Sequence, residues 1–349
     1  MSDSDISRTL SSTDSSTIQS PPPSELQQLK TALSMQSDET ILEHCLGLHK
    51  LQGVSSLADC MVVVCFDTES WTRDHDRLTE IGVATFDSRD MGAVKEPGSY
   101  GENLLKQVYF YHARIQENAH LVNIKFCVGD PDSNRFGQTR FVTKDQASNM
   151  LRDIFAWPID KDQPELGYCP VVVVGHALRG DFSRLHDTLG FNAAQVGTVV
   201  KMIDTQQLSR ETGYWSTLGN PIGLARLVPK CGFDYRDPHT ASNDAAMTLV
   251  CAVQMVLPNR VKNRDITGKS LQTIVDQIEK SSQQQTWTWG NEKYCIRCGG
   301  VGHTKTNYRG RRCNIKVKCA HCAASKLEKR QKAAGTHCTR ACISFAMEG

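Results

Sequence analysis

Residues 60–66 read Cys-Met-Val-Val-Val-Cys-Phe, an apolar run that turns abruptly into Asp67-Thr-Glu69. A short stretch of β-branched and apolar side chains with no helical period predicts a buried strand. Residues 78–86 and 107–112 repeat this character, and the three together predict an antiparallel meander. Residues 136–142 read as an edge strand or a loop. After that the period changes: apolar positions recur at helical spacing over 144–155, up to the break at Trp157-Pro158. Residues 168–175 predict another strand, followed by a helix with Phe182, Leu185 and Leu189 on one face. A short strand at 199–203 and short helices at 205–210 and 222–228 come next. A helix over about 241–256 carries Ala245, Leu249 and Val253 as its apolar stripe, and Pro258 ends it. Strands first, then alternating strands and helices, imply an α/β fold: a mixed sheet with helices on its faces.

The flanks have other patterns. Residues 1–24 are rich in Ser, Thr, Asp and Pro, offer little apolar surface, and are expected to be a disordered tail. Residues 25–57 hold two apolar sets at helical spacing, Leu26, Leu29, Ala32, Leu33 and then Ile41, Leu42, Cys45, Leu48, which predict packing helices. The main domain is expected over 58–258. An amphipathic helix at 269–280 and a polar linker at 281–285 fall in 259–290, and a cysteine-rich module occupies 291–349.

Charge separates the same regions. The whole chain of 349 residues carries +2, but 13 of its 40 Lys and Arg and 3 of its 38 Asp and Glu lie in 291–349. That module is therefore +10 and the remainder −8. Such a tail suits a polyanion such as RNA or DNA, or forms a solvated basic surface. Seven of the 14 cysteines lie between Cys295 and Cys342, and the others are scattered through apolar segments as free thiols. No apolar run approaches the ~20 residues of a membrane span, and the N-terminus has no signal-peptide core. A soluble intracellular protein, cytoplasmic or nuclear, is expected.

Asp67 and Glu69 stand two apart on a strand and project from one face. Paired acids at the end of an apolar strand repel one another and lose hydration, and a cation relieves both costs. Two further acids occupy comparable places. Asp181 follows the apolar run of Val171-Val-Val-Val-Gly-His-Ala-Leu-Arg-Gly-Asp181 and falls in the first turn of a helix, where it either faces a crevice or caps the helix. Asp244 opens the 241–256 helix, with His239 on the loop before it. Glu80 is expected to support the sheet, Asp204 to cap the short helix after it, and His176 to occupy a supporting position.

In order and spacing these strings resemble the DEDDh family of 3′-to-5′ exonucleases, which have a ribonuclease H-like fold. Asp67-Thr-Glu69, Gly175-His176 with Asp181 five residues after the histidine, and His239-x4-Asp244 match its motifs. Leu78-Thr-Glu-Ile-Gly-Val83 and Met202-Ile-Asp-Thr-Gln206 resemble two supporting segments, and the likeness covers about 58–258. One departure is Ala177, where many members have Asn, so a hydrogen bond of the second motif is missing. Asp67-Thr-Glu-Ser-Trp71, Gly175-His176-x-Leu178-x-x-Asp181 and the Cys clusters resemble a fungal branch that includes Argonaute-interacting quelling exonucleases and relatives linked to mRNA export.

The resemblance implies a phosphodiester hydrolase of single-stranded nucleic acid, RNA slightly favoured, or a catalytically weak scaffold for nucleic acid or protein in silencing or export. Two divalent cations about 3.5–4 Å apart activate the attacking water and steady the leaving oxygen in such sites. Asp67, Glu69, Asp181 and Asp244 are the expected ligands of Mg²⁺ or Mn²⁺, with Asp67 bridging, and His239 is the expected general base.

In the tail, Cys295-x2-Cys298-x4-His303 has zinc-knuckle spacing, but Tyr308 stands where a knuckle has its last Cys, so Cys313 is expected to complete that set. Cys319, Cys322, His337 and Cys342 form a second set. Cys338 and His321 are spare donors, and an interleaved pairing is a further arrangement. Trp287, Trp289, Tyr294 and Tyr308 lie among Arg309, Arg311, Arg312 and other cations. Such aromatics either stack on unpaired bases or pack around the zinc sites.

Overall fold

The structure, a computed structural model, describes residues 24–217, 219–262, 268–306 and 312–347. The tail expected at 1–24 lies almost wholly outside these described residues.

Six strands form one mixed sheet: β1 (Val62–Ser70), β2 (Leu78–Asp87), β3 (Tyr109–Ile115), β4 (Gln138–Val142), β5 (Val171–Gly175) and β6 (Val199–Asp204). Their order is β4-β3-β2-β1-β5-β6. The meander is present, with β1 to β2 and β2 to β3 antiparallel, whereas β3 to β4, β1 to β5 and β5 to β6 are parallel. β1 is central and outruns a neighbour: its pairing with β5 stops at Cys65 and Val174, while its pairing with β2 continues to Ser70 and Leu78. The last residues of β1 therefore have an open edge.

The two-residue period sorts β1 between two layers. Val63 and Cys65 join a core on one face with helices Glu25–Ser34, Asp38–Cys45, Ala241–Val256 and Leu271–Ser282. Val62, Val64 and Phe66 join the core on the other, with Lys144–Phe155 and Leu185 of Arg179–Leu189. The mixed sheet flanked by helices expected from the sequence is thus present, with a small cysteine-rich module after it.

Two elements differ from expectation. All sixteen residues of Ala241–Val256 are buried, not one stripe, because the sheet covers one side and the helices of the same layer enclose the other. Truncating a leucine in such a helix costs about 2–5 kcal/mol. The stretch 281–285 is no free linker. Gln285 accepts the Phe110 N–H (2.9 Å) and donates to the Val108 carbonyl (2.8 Å), and Ser282 Oγ accepts the Gly137 N–H (3.0 Å). β4 pairs with β3 only from Tyr111 onward, so the Gln285 amide does the work of strand backbone on that edge.

Candidate active site and cysteine-histidine centres

Asp67 and Glu69 lie on the part of β1 that β5 no longer covers, opposite Gly82 and Glu80 of β2. Asp181, in the first turn of the helix after β5, reaches across that open edge. Its Oδ1 accepts the Thr68 N–H (3.2 Å) and the Thr68 hydroxyl (2.6 Å). Arg184, one turn further along the helix, donates through Nη1 to Thr68 Oγ1 (2.6 Å) and to Asp181 Oδ1 (3.3 Å). The second acidic motif is therefore tied to the first through Thr68.

The N-terminus of the helix Ala241–Val256 is set by β2. A Cβ at Gly82 would lie 2.1 Å from the Ala241 carbonyl, so only glycine allows the helix to approach this closely. Glu80 Oε2 accepts the Ala241 N–H (3.3 Å) and lies 2.9 Å from His112 Nε2. His239 holds a left-handed backbone (φ 57°), and a Cβ at Gly129 would fall 1.9 Å from its carbonyl oxygen. Its N–H donates to Asp244 Oδ2 at 2.8 Å. On its other side, His239 Nδ1 lies 3.7 Å from Glu69 Oε1.

The four carboxylates share one poorly hydrated crevice. Burial holds the Asp67 carboxyl well above the usual range, reinforced by the charges of Asp181, Asp244 and Glu69. Burial also raises Glu69 and Asp181, the latter opposed by Thr68 and Arg184. Asp244 is pushed up to about 7 by burial and then by Glu69. The Glu69 contact raises His239, and Tyr235 is raised by burial and by Asp244, Asp67 and Glu69. Among the described residues Asp244 Oδ1 is buried with no hydrogen-bond partner. Ligand atoms of Glu69, His239 and Asp244 lie within 4.8 Å of one another. An orphaned carboxylate oxygen among mutually repelling acids fits a hard divalent cation.

The five residues singled out in the sequence thus converge, although Asp181 is occupied by Thr68 and Arg184, and the ligand atoms gathered within 4.8 Å of one another are those of Glu69, His239 and Asp244. Sequence reasoning missed Thr68, Arg184, Gly82 and Tyr235 as parts of the site. Arg184 was open to discovery from its i,i+3 position after Asp181. Glu80 does more than support the sheet, since it also accepts the first N–H of the late helix. Asp204 caps the following helix by accepting the Gln206 N–H (2.9 Å) and accepts that of Ala177 as well (3.3 Å). Ala177 has φ 63°, a conformation that Asn tolerates better than Ala, so this departure from the motif costs backbone energy. His176 Nδ1 lies 2.8 Å from Thr205 Oγ1, a supporting contact.

In the tail, Cys295, Cys298, His303 and Cys313 form one tight cluster, and Cys319, Cys322, His337 and Cys342 form a second. His303 Nε2 is 3.3 Å from Cys298 Sγ and 3.4 Å from Cys313 Sγ, and Cys322 Sγ is 3.6 Å from Cys342 Sγ. The Gly300 N–H points at Cys298 Sγ and the Cys322 N–H at Cys319 Sγ. Backbone donors to sulfur favour thiolate, and three sulfurs with one imidazole nitrogen suit tetrahedral Zn²⁺. Neither Cys338 nor His321 joins these groups; the Cys338 N–H donates to the Arg297 carbonyl (2.9 Å) and so links the two clusters.

The expected base-stacking aromatics need correction. Trp287 is buried in the main core, donates to the Gln138 carbonyl (3.1 Å) and meets Tyr111 edge-on. Trp289 donates to Asp153 Oδ2 (3.0 Å) and packs on the same tyrosine, and Tyr294 stacks on Phe141. Here the indoles fasten the tail to the sheet, because burying their large faces outweighs leaving them in water. Arg312 is exposed, and Tyr308, Arg309 and Arg311 lie outside the described residues.

The DEDDh_C family model, described as DNA polymerase III subunit epsilon-like, C-terminal domain, matches residues 62–255. Saccharomyces cerevisiae YDR514C, an uncharacterized protein, is 23% identical over 210 residues, which cover 55% of this chain and 41% of the yeast protein. The chain therefore spans less than half the length of that relative. Among solved structures, E. coli exonuclease I with a 5cy-dA13 oligonucleotide has a TM-score of 0.34 at 11% identity, covering 56% of this chain and 40% of that one. The zinc-bound form of the E. coli ExoI–ssDNA complex has a TM-score of 0.35 at 11% identity, covering 57% and 42%.

Proposed function

The chain belongs to the DEDDh_C family, and from that premise we propose that it is a metal-dependent 3′-to-5′ exonuclease acting on single-stranded nucleic acid, RNA slightly favoured. The observation that carries this reading is the buried, unpartnered Asp244 Oδ1 beside Glu69 and His239 in an acidic crevice. Asp67, Glu69, Asp181 and Asp244 would hold Mg²⁺ or Mn²⁺, which when bound lowers the pKa of water and offsets phosphodiester charge. Asp67 is buried among the charges of Asp181, Asp244 and Glu69, a repulsion that a bound divalent cation would relieve. His239, held on its loop by Gly129 and by its own N–H bond to Asp244, would take the proton of the attacking water. Thr68 and Arg184 position Asp181 and touch no substrate in this reading. The two Cys/His clusters would each hold a structural Zn²⁺.

A time course on 5′-labelled single-stranded RNA and on the DNA of the same sequence tests direction and sugar together. A ladder shortening from the 3′ end with Mg²⁺ or Mn²⁺, faster on RNA, is expected. Release of the label as a mononucleotide at the outset would contradict the direction, and faster loss of DNA would reverse the sugar preference.

A further inference from the structure

With Trp287 and Tyr294 buried and Trp289 half-buried against the sheet, a nucleic-acid strand needs another surface, and one lies between the two Cys/His clusters. A cavity of about 1060 Å³ opens there, walled by Cys313 on one side and by Cys322, His337 and Cys342 on the other. Arg297, Lys305, Arg312, Lys329 and Arg330 line it, and among the described residues no carboxylate does. Five of the cations of the tail thus face one cleft.

The main domain supplies part of the same cavity. His120, which follows β3, lines it, and its Nε2 is buried without a hydrogen-bond partner. The next residue, Leu121, packs with Trp71 and with Ala346 of the tail, and Arg73 Nη1 lies 3.0 Å from Met347 Sδ. Trp71 stands two residues after Glu69, so the cysteine-rich module rests at the carboxyl end of β1, beside the acids. An acidic crevice repels a polyanion, and a neighbouring cationic cleft offsets that repulsion.

We propose that this cleft between the two Cys/His clusters is the docking groove for single-stranded nucleic acid, holding its phosphates through Lys305, Arg312 and Lys329, with His120 Nε2 as a donor to phosphate. The proposal rests on the nucleic-acid reading above, and it assigns the grip to a surface distinct from the acids. A cavity at the upper end of the usual small-molecule range, about 300–1,000 Å³, and edged by cations suits a length of polyanion.

The test is binding of a labelled single-stranded oligonucleotide to the zinc-loaded full chain, without Mg²⁺ or Mn²⁺, over a series of salt concentrations. Lys305→Glu/Lys329→Glu is expected to weaken binding at least about tenfold and to reduce the salt slope by about 1.4, since each phosphate contact on a single strand contributes roughly 0.7. Lys161→Glu/Lys280→Glu makes the same change of net charge on the main domain and is expected to bind as wild type. Zinc content, measured for both, separates loss of the groove from loss of the module, and His120→Gln, which keeps the zinc ligands, is expected to weaken binding a few-fold. Equal binding by the two double variants overturns the proposal, as does a wild-type chain that binds no oligonucleotide. Because binding is read without hydrolysis, a chain that binds through the cleft yet cuts nothing keeps this inference and removes the exonuclease reading. Hydrolysis with unchanged binding in the cleft variant does the reverse.

Discussion

The backbone N–H of His239 donates to Asp244 Oδ2 at 2.8 Å, while Asp244 Oδ1 is buried with no partner. One carboxylate thus holds the loop of the proposed base with one oxygen and offers the other to the crevice. The arrangement is costly without a cation, and its cost can be measured.

Asp244 is pushed up to about 7 in the folded chain from an ordinary value near 3.8. Below both values the two states bind the proton alike. Between them the unfolded chain releases it first, so stability falls as pH rises from about 4 to about 7 and is then level. Asp244→Asn removes this penalty and is expected to stabilise the Mg²⁺-free protein on the order of 2–4 kcal/mol at pH 8, and little at pH 4. Thermal melts at several pH values check this, and a variant equally stabilised at every pH contradicts it. For the wild type, Mg²⁺ is expected to raise the melting temperature more at pH 8 than at pH 6.

Gly82→Ala places a Cβ 2.1 Å from the Ala241 backbone. The helix must shift, and His239 and Asp244 move with it. A loss of about 1–3 kcal/mol or more is expected, with hydrolysis falling further than the folded fraction. Denaturant titration beside a rate measurement separates the two, and an unchanged rate would show that β2 does not set the site.

Much of this was legible in the chain. The β-branched run of β1, the meander and the acids at strand ends each leave a local signature of period or motif. Where the reading failed, side chains act on partners distant in sequence. The polarity of Gln285 suggests a linker, but its amide pairs with Val108 and Phe110, which no local pattern shows. The stripe of Ala245, Leu249 and Val253 understated a helix enclosed by the sheet on one side and by neighbouring helices on the other. Trp287 stands close to cations in sequence and sits in the core in space. Glu80 and Gly82 were visible as a motif, but their role depends on Ala241, more than 150 residues later.

Trp287→Ala is therefore a stability variant. Removing an indole that is 5% exposed is expected to cost about 3–5 kcal/mol. Oligonucleotide affinity of the folded fraction should remain. A variant of wild-type stability that loses binding would return Trp287 to the nucleic-acid surface.

The Cys/His groups predict two bound zincs. Native mass spectrometry of Cys322→Ser is expected to show one zinc fewer, with the first cluster still loaded, because the two sets share no ligand. Loss of both metals, or of neither, would contradict the partition.

The central claim is that the carboxylates of β1 and the two later helices do chemistry on nucleic acid. Its most direct test is Asp67→Ala beside wild type, with Mg²⁺-dependent hydrolysis of a labelled single strand and binding of the same strand measured on one preparation. Hydrolysis is expected to disappear while binding stays within a few-fold. Comparable turnover by Asp67→Ala would remove this crevice from the reaction.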